Sequence, residues 1–256
     1  LRSTTGNGFG IWLANDVDDV TIDNVLIDGF AIGLHSSGSN DCSEDNPGCD
    51  RDNEAITLRN STISNNTAQG FLGWADNLLF ENNLFEFNGA PINRDHNIYI
   101  SALPKTEGQE FITGIRIIGN TLRGSAVDEN GVCQGVSLVG HGKMQDVLIE
   151  DNLIYEDAAS GGCWGIAIDP AYVDAEELRD VIIRGNRVYN TGNISIAVGS
   201  CIDCVIENNV VVNEHENFGL HGIGLGNPPR DGDVQTENLM IRNNSIYLNA
   251  ASSAVG

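Results

Sequence analysis

Ile149-Glu-Asp-Asn152 and Ile183-Arg-Gly-Asn186 show the pattern that decides the fold, an apolar residue followed by hydrophilic residues and an asparagine. Related segments recur along the chain, and Ser61 occupies the position before the first of them. The asparagines that share this position are Asn83, Asn120, Asn152, Asn186, Asn209 and Asn244. Unequal intervals between them indicate a short repeating unit with loops of different length, as in solenoid proteins.

An apolar segment also precedes each asparagine, as in Gly135-Val-Ser-Leu138 and Gly165-Ile-Ala-Ile168, and a third follows it, as in Leu153-Ile-Tyr155. The apolar residues alternate, which favours strands with one buried side. Three short strands per repeat predict an all-β, right-handed parallel β-helix of about eight coils, in which each coil buries its apolar side against its neighbours. Equivalent residues then stack about 4.8 Å apart, so the asparagine amides are expected to form a ladder.

The repeat resembles the pectate-lyase-like β-helix superfamily over nearly the whole chain. Since the repeat has no break, we expect one domain over residues 1–256, with an acidic loop insertion at 36–54. The resemblance implies a carbohydrate-active protein, because many members of this superfamily act on polysaccharides. Fold alone does not define the reaction.

Composition excludes several classes of protein. The chain has 13 basic and 36 acidic residues and a formal net charge of −23, which argues against a nucleic-acid binder. Hydrophobic residues make up 41%, enough for a core, and no apolar run is long enough to span a membrane. Six cysteines in an acidic chain that starts at Leu1 predict a protein that is secreted, periplasmic or on the cell surface and has lost its leader.

The cysteines suggest three pairs. Cys133 and Cys163 each precede by two residues the glycine that opens a strand, so we expect them to stack on adjacent coils and form a disulfide. The pair Cys42–Cys49 brackets a turn-forming loop and is expected to be bonded as well. The pair Cys201–Cys204 remains open between a local disulfide and two thiols, with Cys204 expected as a buried thiol.

The outward residues of the first strand in each coil are predicted to form a groove along the helix axis, where a sugar chain can lie. Aromatic and polar side chains at these positions or just before them are the candidate substrate-binding residues. They are Trp74, His35, Ser101, Ser137, Gln134 and Trp164.

The densest polar stretch of the chain is Arg94-Asp-His-Asn-Ile-Tyr-Ile-Ser101, and the next coil carries Gly140-His-Gly-Lys143. Chemistry on uronate sugars needs a base for the proton beside the carboxylate, a positive group for the developing charge and an acid. The side chains predicted to fill these catalytic roles are His96, Tyr99, Arg94, Lys143, His141 and Lys105.

The two lysines are each six residues beyond an expected groove position, Lys105 after Tyr99 and Lys143 after Ser137. If the turns match, the two ammonium groups stack on neighbouring coils. Each would then lower the pKa of the other, so that one could serve as a neutral base.

Two short motifs resemble known enzymes. The segment His96-Asn-Ile-Tyr-Ile-Ser101 is similar to part of the alginate C5-epimerase pattern, but the family's Asp-Pro-His-Asp signature is replaced by Gly73-Trp-Ala-Asp76. The nearest approach to that signature is Asp169-Pro-Ala-Tyr172. Gly140-His-Gly142 resembles a polygalacturonase motif, without the cluster of carboxylates that glycoside hydrolysis needs.

An acidic insertion leaves the groove strand near His35. Its carboxylates are the candidate calcium ligands, because oxygen-rich clusters suit this ion. They are Asp41, Glu44, Asp45, Asp50 and Asp52. A solvated acidic loop without metal remains the alternative, and no organic cofactor is predicted.

Together these patterns predict a secreted enzyme that binds an acidic, uronate-containing polysaccharide and either cleaves it by β-elimination or epimerises it. Two alternatives remain open. One is a non-catalytic β-helix such as an adhesin, a tailspike or a surface carbohydrate-binding protein, and the other is a polygalacturonase-like hydrolase. An enzyme should bring His96, Tyr99, His141 and a lysine to one cleft, whereas a binding module should scatter them.

Overall fold

The computed structural model describes residues 1–14, 16–37, 53–91, 95–102, 111–156, 163–172, 175–214, 221–226 and 232–249. These residues form 24 strands, β1 to β24 in chain order, and no helix. None of the described segments could therefore cross a membrane as a helix. Every pair of neighbouring strands in the ladders is parallel, and the sheets curl, which is consistent with the predicted parallel β-helix.

The strands form one sixteen-stranded sheet with two halves, here called face one and face two, and one eight-stranded sheet, called face three. The long strand β13 runs from face one into face two. Face one contains β1 (Phe9–Ala14), β4 (Ile32–Ser37), β7 (Gln69–Gly73), β10 (Ile98–Ala102), the start of β13 (Val136–Glu150), β15 (Trp164–Ile168), β18 (Ile194–Val198) and β22 (His221–Leu225).

Faces two and three carry the remaining strands. Face two contains β2 (Thr21–Asp23), β5 (Thr57–Arg59), β8 (Leu79–Glu81), β11 (Ile112–Ile118), the rest of β13, β16 (Glu177–Arg184), β19 (Cys201–Ile202), β20 (Val205–Glu207) and β23 (Met240–Arg242). Face three contains β3 (Leu26–Asp28), β6 (Thr62–Ser64), β9 (Leu84–Glu86), β12 (Thr121–Arg123), β14 (Leu153–Tyr155), β17 (Arg187–Tyr189), β21 (Val210–Asn213) and β24 (Ser245–Leu248).

The core is a set of apolar columns between the faces. On face one, Ile98 lies opposite Phe71 on one side and Leu138 on the other, and Leu138 lies opposite Ile166. All four side chains are fully buried. Because burial of such a side chain contributes about 1.5–3 kcal/mol, these repeated columns stabilise the stacking of one coil on the next.

Asparagine side chains stack between faces two and three. The Asn120 amide donates to Oδ1 of Asn152 at 3.1 Å, and the Asn152 amide donates to Oδ1 of Asn186 at 2.9 Å. The Asn152 amide also donates to the carbonyl oxygen of Ile117 at 2.8 Å. The residue before each of these asparagines has a positive φ, such as 54° at Asp151, which explains why Gly, Asn or Asp precedes them.

The described cysteines form two disulfides, Cys133–Cys163 and Cys201–Cys204. The predicted disulfide between Cys133 and Cys163 is confirmed. The two cysteines are not directly opposite each other as expected, because Val136 lies opposite Trp164 and the cysteines are therefore offset by two residues. Of the two alternatives left open for Cys201 and Cys204, the structure shows the local disulfide. Cys204 is buried as expected, but its sulfur is bonded to Cys201 and is not a thiol. The predicted pair Cys42–Cys49 lies outside the described residues. Disulfides are typical of proteins from an oxidising environment.

Candidate functional site

The outer side of face one carries two adjoining cavities. The first has a volume of about 400 Å³ and is lined by His96, His141 and Gln134 among others. The second, of about 310 Å³, extends towards His221. Trp164 and Asp169 line both cavities.

Apolar side chains form the floor between the two cavities. Val139, Ala167 and Ala197 stack in register on neighbouring strands and are almost fully buried, although they face outward. Trp164 and Ile194 pack against them. Such a floor suits the C–H face of a sugar ring, which is apolar.

Four aromatic rings converge beside the first cavity. The ring centroids of His96 and Tyr99 are 5.3 Å apart, those of Tyr99 and His141 5.7 Å, and those of His141 and Tyr172 5.7 Å. All three contacts are edge-to-face. Three residues predicted from the sequence as catalytic, together with Tyr172, therefore form one group, here called the ring cluster.

The phenol groups of the ring cluster are linked through Tyr172. Its hydroxyl lies 2.9 Å from the Tyr99 hydroxyl and 2.7 Å from Oγ of Ser101. Burial raises the pKa of both tyrosines, and the hydrogen bond to Tyr172 raises the pKa of Tyr99 further. Both phenols are therefore protonated at neutral pH and have a hydrogen to donate.

The imidazole of His141 is held in one tautomer. Its Nδ1 lies 2.5 Å from the carbonyl oxygen of Asp169 and 3.8 Å from that residue's carboxylate. A carbonyl oxygen only accepts hydrogen bonds, so Nδ1 carries the hydrogen and the neutral ring has its lone pair on Nε2. His141 is thereby prepared to act as a base through Nε2.

His96 is in the opposite tautomer. Its Nδ1 accepts the backbone N–H of Val136 at 3.1 Å, so the hydrogen of the neutral ring is on Nε2. Burial, followed by the charge of His141, lowers the pKa of His96 to about 3. The ring is thus a neutral hydrogen-bond donor at physiological pH, next to the base.

The remaining predicted substrate-binding residues are distributed more widely. Gln134 and Trp164 line the first cavity, and Ser101 is buried beneath the Tyr172 hydroxyl. Ser137 was expected to face outward, which is wrong: it is fully buried and donates to Glu156 at 3.1 Å. Ser137 directly precedes Leu138, which lies opposite Ile98, and the side chains of Ser137 and Leu138 are both buried. The alternation of inward and outward side chains therefore begins only at Leu138.

Two predicted groove residues lie away from the cavities. His35 donates from Nδ1 to the carbonyl oxygen of Leu72 at 2.8 Å, and its ring stacks on Phe9 at 5.0 Å. Trp74 packs against the hydrophobic core. Neither side chain lines the first or the second cavity.

The stacking of the two lysines stays a prediction. The equivalence of Tyr99 and Ser137 on which it was based is wrong, because Tyr99 lies opposite Val139. Lys143 lies opposite Glu177 just beyond the groove. Lys105, like Arg94, is outside the described residues.

The acidic residues proposed to bind calcium also lie outside the described part of the chain. They are Asp41, Glu44, Asp45, Asp50 and Asp52. Within the described residues, the one close group of metal-ligand types is Cys133, Glu156 and Cys163. Its two sulfurs form a disulfide and its carboxylate accepts the backbone N–H of Gly124 at 2.9 Å, so it does not resemble a calcium site.

Tyr172 is not among the residues predicted from the sequence, although it ends the segment Asp169-Pro-Ala-Tyr172, the incomplete epimerase motif. The available signal was its position directly after a groove strand, where loops carry functional residues. Its 73-residue separation from Tyr99 hides the contact.

No protein-family model matches the chain. No match was found among curated proteins either. A solved structure described as "Crystal structure of Agl-KA catalytic domain" is similar, with a TM-score of 0.46 and 11% sequence identity. The match covers 90% of this chain and 48% of that one, so this chain spans about half the length of its structural neighbour.

Proposed function

We propose that this protein is a secreted carbohydrate-active enzyme that removes the C5 proton of a uronate unit in an acidic polysaccharide, with β-elimination as the leading outcome. The observation that carries the proposal is the complementary protonation of two imidazoles. His141 has a free lone pair on Nε2, whereas His96 has a hydrogen on Nε2, and both line one cavity.

In this mechanism Nε2 of His141 takes the proton from C5. The electron pair of the broken C–H bond forms the C4–C5 double bond as the C4–O4 bond breaks. His96 donates a hydrogen bond to the substrate carboxylate, where negative charge develops, and it does so from an environment with little water.

The leaving O4 oxygen must receive a proton. The hydroxyls of Tyr99 and Tyr172 are in hydrogen-bond contact, and the Tyr172 ring also contacts His141. Because both phenol pKa values are raised, a free phenolate is costly. The phenols therefore pass a proton to O4 while they regain one from the imidazolium of His141.

The cavities support a chain substrate rather than a single sugar. Each has a volume at the lower end of the range typical of small-molecule sites, about 300–1,000 Å³, and they share the Trp164 ring as a wall. Two neighbouring sugar units fit this arrangement. The net charge of −23 opposes an acidic chain, so local hydrogen-bond donors such as His96 have to hold the carboxylate.

C5-epimerisation is the second candidate. It begins with the same proton transfer to His141, but a proton then returns to C5 on the opposite face and the C4–O4 bond stays intact. The position of Tyr99 favours this candidate, since its ring lies between the imidazoles of His96 and His141.

The test is an ultraviolet assay for new C4–C5 double bonds with alginate, polygalacturonate and glycosaminoglycans, with and without calcium. Wild type should give rising absorbance on one of these polymers. His141→Ala should lower kcat by about 10²–10⁴-fold, the usual contribution of a general base. Tyr155→Phe, which changes a tyrosine on face three, is the control and should keep full activity.

A second readout separates the candidates. Exchange of the C5 hydrogen in deuterated water, followed by NMR, without any new double bond would favour the epimerase over the lyase. Neither signal on any polymer would overturn the proposal and favour a non-catalytic binding protein.

A further inference from the structure

Glu176 is a buried carboxylate that the mechanism above does not use. Its side chain is 2% exposed and accepts three backbone hydrogen bonds. Oε1 accepts the N–H groups of Ala171, at 2.6 Å, and of Tyr172, and Oε2 accepts the N–H of Gly142 at 2.5 Å. The two oxygens therefore connect two separate segments of the chain.

The two connected segments both belong to the ring cluster. Gly142 directly follows His141 in β13, and the Tyr172 amide belongs to the residue whose hydroxyl contacts Tyr99. His141 also contacts the carbonyl oxygen of Asp169, at the start of the segment that leads to Tyr172. That segment is held at its start by His141 and at its end by Glu176.

The backbone at both ends of this arrangement is constrained. Gly142 has a φ of 106°, and a Cβ atom there would lie 1.7 Å from the carbonyl oxygen of Ala102, so only glycine fits. The backbone N–H of Glu176 donates to Oδ1 of Asp233 at 2.8 Å. The carboxylate is thus presented to Gly142 and Tyr172 from a fixed position.

The charge of Glu176 adds an electrostatic effect to the geometric one. Burial is the main cause of the raised pKa of Tyr99 and of Tyr172, and the neighbouring negative charge of Glu176 raises both pKa values further. A glutamine would lack this charge. It would also place an NH₂ group, which cannot accept, against backbone N–H donors.

We propose that Glu176 is a positioning residue that holds the Tyr172 hydroxyl and the His141 imidazole at their working separation. This inference rests on the proposed function, because it assigns Glu176 a task in that proton transfer. Glu176 touches neither cavity and acts through the two segments that it connects.

The first experiment compares Glu176→Gln with Glu150→Gln, which removes a carboxylate that pairs with Arg184 on face two. Glu176→Gln should lower kcat by about 10–100-fold with little change in KM, because a small misplacement of reacting groups is costly. A loss of folded protein would lower the active fraction without this split between kcat and KM. Equal kcat and equal KM for both variants would overturn the proposal.

A double-mutant cycle with Tyr172→Phe distinguishes positioning from a general loss of structure. If Glu176 acts through the Tyr172 hydroxyl, Glu176→Gln should lower kcat by a much smaller factor in the Tyr172→Phe background than in wild type. An equal reduction of kcat in both backgrounds would mean that Glu176 only stabilises the fold. Glu176→Asp retains a carboxylate that accepts from backbone N–H groups and should recover part of the lost kcat.

Amide hydrogen exchange provides a test that does not need activity. Glu176→Gln should selectively increase exchange at Gly142, Ala171 and Tyr172, while the core strand β15 remains protected. Unchanged protection at these three amides would overturn the inference. Inactive wild type with this exchange pattern would instead contradict the proposed function and leave the positioning role in place.

Discussion

The asparagine stack and the ring cluster use the same register in different ways. Along the stack, Asn120, Asn152 and Asn186 are chemically identical and each satisfies the next. Along the outer side of face one, Tyr99 lies opposite Val139, and Ser101 lies opposite His141. Identical side chains on successive coils stabilise the asparagine stack. Different side chains on successive coils, held in an equally regular register, form the ring cluster.

The two regions differ because the asparagine stack is buried, whereas the outer side of face one is open to water or a ligand. A buried amide must find a partner on each neighbouring coil, so the inward position tolerates few residues. An outward position has no such requirement, because water or a ligand completes its contacts. We therefore expect substitutions in the stack to reduce stability and substitutions in the ring cluster to change chemistry.

The largest expected effect on stability comes from Asn152→Ala. The substitution removes the acceptor for the backbone N–H and the amide of Asn120, and the donor to Asn186 and Ile117. Because buried groups lose their partners, the free energy of unfolding should fall by about 3 kcal/mol or more, measured by urea denaturation. The control is Asn130→Ala, which changes an exposed turn residue and should leave the free energy of unfolding nearly unchanged. An equal loss of unfolding free energy in both variants would show that the asparagine stack does not stabilise the fold in particular.

A smaller effect is expected from the pH dependence of stability. The pKa of His96 is about 3 in the folded protein, below its ordinary value of 6.5, so the unfolded chain binds more protons between these pH values. Stability should therefore be complete above pH 6.5 and decrease as the pH falls towards 3, by up to about 1.4 kcal/mol per pH unit from this group.

The measurement is chemical denaturation across this pH range for wild type and His96→Asn. The variant should have a shallower slope, whereas Asn152→Ala should keep the slope of wild type at a lower stability. Parallel slopes for wild type and His96→Asn would show that His96 does not titrate as its burial requires.

The smallest effect concerns salt. A chain with a net charge of −23 repels an acidic polysaccharide over long range, and salt screens this repulsion. The KM for the polymer should therefore fall severalfold as the ionic strength rises from about 0.01 to 0.15 M, with kcat unchanged. A KM that rises with salt would instead indicate a locally positive groove.

The positions of the inward-facing side chains were largely predictable from the sequence, whereas those of the outward-facing side chains were predictable only in part. Alternating apolar residues and the recurring asparagines indicate parallel strands because both patterns repeat along the chain. The sequence predicts His96, Tyr99 and His141 as catalytic residues because polar residues are concentrated in and beside their strands. Ser137 was assigned to the wrong side, because the register between coils depends on how many residues each corner takes up.

The amino-acid sequence by itself determined the class of fold, since every repeat must bury its apolar side against the next. It also indicated that Cys133 and Cys163 lie on adjacent coils, although the register that lets the two sulfurs meet is known only from the structure. Only the tertiary structure decided that Tyr172 meets Tyr99 and that Glu176 joins Gly142 to Tyr172. The contacts of Tyr172 with Tyr99 and of Glu176 with Gly142 join residues that are far apart in the sequence and lie on different coils, and a local pattern of residue types does not encode them.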